Sequence, residues 1–340
     1  MKDMDENKMT DVMDENMISE ETGALSAVDK QQIRKRTGHV FKWLLLYNML
    51  IMIFAGVLTA LKVPLGVESI GGTLLGVGAL FLITRRKYPV KVFEKSEKKM
   101  TGKDFLLFFS LMALLQVITF ATMELLDALG VQGTSLDVEM DTLFFFLYVS
   151  FTGPFCEEMV YRGFSCGKLK AIGKIPAIVF SALAFGLMHA NANQFVVGAL
   201  TGMLFGFIFV EYSIWWPLLL HVINNCVLSA LPEVLFADVL SVRTLNAITY
   251  SVLGVFALYG IITLIRRRGE AAAWLKDPAN RAPKGAVGAA LKSFWFWLFV
   301  IAYVAFIALM MIFPQYFAAF SGASMSEPLG EAAVKLLPLA

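Results

Sequence analysis

From residue 43 onwards, long apolar runs alternate with short polar segments, and this alternation sets the architecture before any motif is considered. Each run approaches or exceeds the ~20 residues that a helix needs to cross a hydrocarbon core of ~30 Å. Runs at 43–61, 67–84, 105–126, 143–164, 176–190, 195–212, 215–231, 245–265 and 294–313 predict about eight or nine spans. The expected fold is an all-α polytopic transmembrane helix bundle over residues 41–313. The first run is too long for a signal-peptide core and lacks a small-residue cleavage site, so it reads as a retained span.

The flanks follow a different pattern. In residues 1–40 the acidic unit Met4, Asp5, Glu6, Asn7 recurs as Met13, Asp14, Glu15, Asn16, and no aromatic residue precedes Phe41. Such a segment buries too little apolar surface to offset its ordering entropy, which predicts a disordered tail. Residues 314–340 read as a C-terminal tail.

Charge in the connections orients the bundle. A basic cluster (Lys30, Arg34, Lys35, Arg36, Lys42) precedes the first span, and the segments 85–103, 168–174 and 266–292 are rich in Lys and Arg. The alternate connections are poor in them: 127–141 has none, and 232–244 has only Arg243. By the positive-inside rule the basic side is cytoplasmic, which puts the N-terminus in the cytoplasm and the chain in the cell membrane as a multi-pass protein.

Composition narrows the classes. The 340 residues are 58% hydrophobic and 16% charged, against about 25% charged in soluble domains. Cys156, Cys166 and Cys226 lie in or beside apolar runs, without metal-type spacing or a disulfide framework, and read as small hydrophobes. The basic clusters adjoin the membrane and lack an aromatic platform, so they suit topology and anionic lipid, and nucleic acid binding is not expected. Glycines four apart (Gly72 and Gly76; Gly198, Gly202 and Gly206) predict close helix packing, with 195–212 at the centre of the bundle.

The informative residues are the polar ones inside the runs. A charge at the bilayer centre costs at least ~2.5–3.5 kcal/mol, so Glu157, Glu158 and Arg162 must face a polar interior or pair. Glu158 and Arg162 are four apart and can neutralise each other along one helix face. Glu157 lies ~100° round the helix and is left for chemistry. His221 and Asn225 share a face of another span, and His189 ends the run 176–190. Glu68, Glu124 and Glu211 lie near span ends, and His39 sits in the basic juxtamembrane stretch; none of these four is assigned a role.

Carboxylate, two imidazoles and a carboxamide are the parts of a hydrolase: a base for water, a proton donor and donors for an oxyanion. Glu157, His189 and His221 also form a set that can hold zinc, although no HExxH helix is present. Two other classes fit the buried charges. One is a non-catalytic immunity or scaffold protein in which they fix helix register. The other is a proton-coupled transporter, which the lack of an internal hydropathy repeat disfavours.

Glu157-Glu158-x-x-x-Arg162, Phe185-x-x-x-His189 and His221-x-x-x-Asn225 resemble the EExxxR, FxxxH and HxxxN motifs of the CAAX-prenyl-protease and bacteriocin-processing (CPBP) intramembrane endopeptidases. They occur in family order on separate spans, and the resemblance covers a core at 143–231. It implies hydrolysis of peptide bonds in peptide or membrane-protein substrates within the bilayer. By the same resemblance Glu157 activates water with help from His189, His221 and Asn225 stabilise the oxyanion, and Glu158 with Arg162 supports the site. A glutamate mechanism without a cofactor is the favoured expectation, with zinc as the alternative.

One count along the helices is awkward. Glu157 lies ~16 Å from Lys168, whereas His189 lies ~22 Å from Lys174, so the two would sit at different depths.

Overall fold

Apolar length decides the elements. A computed structural model describes residues 25–94, 96–128, 143–236 and 239–312, and the described chain is helical with no strand. Eight helices are long and apolar enough to cross a membrane. They are α1 (Ala27–Ala60), α2 (Leu65–Thr84), α3 (Gly102–Ala128), α4 (Leu143–Ile172), α6 (Ala192–Glu211), α7 (Trp215–Phe236), α8 (Val242–Arg266) and α11 (Phe294–Ile312). Between α4 and α6 lies α5 (Lys174–Met188), which has 15 residues. At a rise of 1.5 Å per residue it covers only ~22 Å, short of the ~30 Å core. Two further short helices, α9 (Arg268–Lys276) and α10 (Ala286–Leu291), lie between α8 and α11.

The beginning of α1 corrects the expectation of a disordered segment up to residue 40. Ser26 caps the helix in a reciprocal capping box with Asp29, which satisfies two otherwise orphaned amide groups. Ile33, Thr37, Val40, Phe41 and Leu44 then form a buried stripe at helical spacing. The stripe is interrupted by a threonine and surrounded by lysines and arginines, which hid it in the sequence. Residues 1–24 and 313–340, where the rest of both expected tails falls, lie outside the described residues.

The basic connections gather at one end of the bundle. Lys168, near the end of α4, donates from Nζ to the carbonyls of Lys87 and Tyr88, both at 2.6 Å, just beyond α2. The Arg36 guanidinium of α1 lies 4.5 Å over the Tyr88 ring. Lys174 and Lys98 both pair with Glu211 at the end of α6, at 2.8 and 3.7 Å, and Arg267 pairs with Asp104 at 2.9 Å. At the corner between α4 and α5, Gly173 has φ +134° and lies against the backbone of Arg281 and Ala282. His39 is packed among the rings of Trp43, Tyr88 and Phe164. Of the charges near span ends, Glu68 is buried and accepts from Thr59 at 2.8 Å.

Packing at the centre depends on the glycine stripe of α6, as its spacing predicts. A Cβ on Gly198 would lie 3.1 Å from the Gly186 Cα, and one on Gly202 would lie 2.9 Å from the Ala182 Cα. Both neighbours are backbone atoms of α5, so the two helices touch main chain to main chain. The other glycine pair is used against α1, where a Cβ on Gly76 would lie 2.8 Å from Ile51. Gly202→Ala should therefore destabilise the protein by ~1–3 kcal/mol through overpacking. Gly254 has open space around its Cβ position, and Gly254→Ala should be neutral or stabilising. Thermal unfolding of the two variants in detergent checks the contrast.

Candidate active site

The site begins with a break in helical hydrogen bonding. In α4 the stretches Tyr148–Thr152 and Glu158–Cys166 are π-helical, as is Ile223–Ala230 in α7. Turns of this kind are rare and concentrate at functional sites, because they widen the helix and redirect side chains. For the first stretch the sequence supplies the cause. The amide of Gly153 bonds the carbonyl of Tyr148, five residues back. Continued by one residue, that pattern calls on an N–H at position 154 for the Val149 carbonyl, and Pro154 has none. The carbonyl is instead met by Asn225 of α7, whose Nδ2 donates to it at 3.2 Å. The backbone of α4 thus holds the carboxamide of the third motif. In the second π-helical stretch, the carbonyl of Tyr161 accepts from the Ser181 hydroxyl of α5.

Around this frame the charged groups form one continuous cluster. Arg162 and Glu158, both fully buried, pair through Nε and Oε2 at 3.1 Å. The guanidinium lies over the rings of Phe185 and Phe205, 4.2 and 5.4 Å from their centres. A desolvated cation–π contact of this kind adds about 2 kcal/mol. The other Glu158 oxygen meets His221 Nδ1 at 2.9 Å. A carboxylate only accepts, so the proton of this bond is on Nδ1, and Nε2 is turned outward. It faces Glu157 Oε2 at 3.6 Å, too long for a direct hydrogen bond. His221 therefore stands between two carboxylates, one bonded to it and the other across a gap.

This refines the expected division of labour. Glu158 and Arg162 are an ion pair, as the four-residue spacing predicts, but Glu158 serves two partners and fixes the direction of the His221 ring. Glu157 points away from the pair and towards the outer nitrogen of the same imidazole.

His189 joins from α5. Its Nδ1 lies 2.8 Å from the Phe185 carbonyl, and a carbonyl only accepts, so Nδ1 carries the proton of this bond. The Phe185 ring lies 5.0 Å from the His189 ring and 6.1 Å from the His221 ring, so one phenyl packs against both imidazoles. The awkward depth count resolves here. Lys168 is buried and does not mark the end of α4. Counted from the shared corner at Gly173, Glu157 and His189 each lie about fifteen residues along their helices, and so are roughly level. Among the described residues no group of three His, Cys, Asp or Glu side chains is arranged to hold a metal ion.

Sequence reasoning passed over one arm of the site. Gln116 of α3 donates to the Asn224 carboxamide oxygen. Asn224 Nδ2 in turn donates to Asn225 Oδ1 at 3.0 Å. All three side chains are at least 95% buried. The available signal was modest: Gln116 is the only carboxamide in the predicted span 105–126.

Residues 139–227 match the family described as type II CAAX prenyl endopeptidase Rce1-like. The matched segment contains all three motifs, from Glu157 to Asn225. The core of the chain is therefore similar to an endopeptidase family, which agrees with the resemblance carried by the motifs and supports peptidase activity on a peptide or protein substrate. No curated protein and no solved structure matches the chain.

The charge cluster predicts a stability effect. Removing one member of a buried ion pair leaves the other uncompensated and costs about 3–5 kcal/mol. Glu158→Leu and Arg162→Leu should each lose that much, and the double variant should lose less than the two singles combined. Denaturant unfolding of the three purified proteins measures both.

Proposed function

We propose that the protein is an intramembrane endopeptidase in which Glu157 activates water for attack on a peptide bond. The observation that carries this reading is the placement of Glu157 across a 3.6 Å gap from an imidazole whose far side is fixed by Glu158. Glu157 and the imidazole thus face each other inside a chain with eight helices long and apolar enough to cross a membrane.

In this mechanism a water molecule lies between Glu157 and the Nε2 lone pair of His189. Glu157 takes a proton from the water as its oxygen bonds to the scissile carbonyl carbon. The carbonyl oxygen becomes an oxyanion and is received by His221 Nε2–H and by the second N–H of Asn225 Nδ2. Donation from Nε2 requires the imidazolium form of His221, flanked by the two carboxylates. As the intermediate collapses, the C–N bond breaks and Glu157 returns its proton to the departing nitrogen. Every step uses protein groups and water, so the favoured reaction has no cofactor.

The gathering of Arg36, Lys98, Lys168 and Lys174 at one end, with the basic stretches around them, supports a cytoplasmic location for that end under the positive-inside rule. With α1 starting there, the N-terminus is cytoplasmic and the protein resides in the cell membrane.

Glu157→Ala and His189→Ala should each abolish cleavage of a quenched peptide library by purified protein while leaving thermal unfolding intact. Asn225→Ala should lower kcat by about 10²–10³, the usual cost of one oxyanion donor. A chelator should leave wild-type cleavage unchanged. Loss on chelation with recovery on adding zinc would show that the metal-free assignment is wrong.

A further inference from the structure

We infer that Gln116 is a positioning residue that sets the direction of the Asn225 carboxamide through Asn224; this rests on the oxyanion role proposed for Asn225. The order of donors is chemically determined from one end. The Val149 carbonyl only accepts, so Asn225 must present Nδ2 to it. Its Oδ1 is then turned towards Asn224 and needs a donor, which Asn224 Nδ2 supplies. That turns Asn224 Oδ1 towards α3, where Gln116 Nε2 donates to it. Ser229 also fixes this segment by donating to the Asn224 carbonyl at 3.1 Å.

Each carboxamide in this relay has two orientations of nearly equal shape, and the relay selects one. Reversing Asn225 would set its oxygen against the Val149 carbonyl and its NH2 against the NH2 of Asn224. Two like groups would then face each other in a buried site, which is costly. With the relay intact, Asn225 Nδ2 spends one N–H on Val149 and keeps the other for the oxyanion. Pro154 secures the far end by bringing no amide to compete for the Val149 carbonyl. Gln116 secures the near end, and it reaches the site from a helix that carries none of the three motifs. It touches no reacting atom, and its effect passes through Asn225.

The test compares purified full-length wild type, Gln116→Met and Gln116→Glu on a cleaved peptide, each alone and combined with Asn225→Ala. Gln116→Met keeps the length of the side chain and removes the donor. Gln116→Glu keeps the shape and, assayed at a pH where it is ionised, offers Asn224 only acceptors. Both should lower kcat on the order of ten-fold with KM unchanged, as expected when an oxyanion donor is mis-set and not removed. Neither should lower it further in the Asn225→Ala background. Wild-type kcat in both single variants would overturn the relay, as would losses that persist in full beside Asn225→Ala, since those mark a merely structural role. If Gln116→Met fails to fold, Gln116→Glu carries the same comparison. If the wild type and Glu157→Ala cleave alike, the peptidase reading itself fails, and the inference falls with it. That result is distinct from an active wild type with indifferent Gln116 variants.

Discussion

The structure of the site depends on one buried carboxylate. Glu158 has no exposed surface, and its two oxygens serve two partners, the Arg162 guanidinium and His221 Nδ1. In a medium of low dielectric an uncompensated carboxylate is expensive, so these contacts are conditions for burying it. Each partner also has a second consequence. Arg162 lies over two phenyl rings and ties α4 to α5 and α6. His221 is held by its Nδ1–H and ties α4 to α7. The interaction that makes the charges tolerable in a membrane thus aligns the helices that carry the three motifs.

Backbone irregularity supplies the rest of the alignment. The π-helical turns of α4 coincide with carbonyls that accept from side chains of other helices, Val149 from Asn225 and Tyr161 from Ser181. Bonds of this kind are directional in a way that apolar packing is not. Close contact of α5 with the glycine face of α6 brings His189 alongside them, with its Nδ1 only 3.2 Å from where a Gly198 Cβ would lie. A larger residue at that position would displace the imidazole directly.

Much of this was legible in the sequence. Span positions follow from apolar length, the Glu158–Arg162 pair from four-residue spacing, and the α6 packing face from three glycines in register. The bond between Glu158 and His221 was not legible, because 63 residues separate them and sequence spacing says nothing of which imidazole nitrogen faces which carboxylate. The helical stretch before residue 40 was missed because its buried stripe is short and set among charges. Gln116 was missed because a single carboxamide in a long apolar run carries no periodicity. The consequence of Pro154 becomes visible only once α4 is known to pass unbroken through that residue.

The central claim is that Glu157 acts as a base while the Glu158–His221–Arg162 cluster holds the frame. Replacing Glu157 by Gln keeps size and polarity and removes only the ability to take a proton, so it separates chemistry from architecture. The direct measurement is peptide hydrolysis by purified wild type and Glu157→Gln in the same lipid vesicles, with thermal unfolding of both recorded alongside. The account predicts a matching unfolding midpoint and no hydrolysis by the variant. Hydrolysis at the wild-type rate by Glu157→Gln would contradict it and leave the buried charges with a structural role alone.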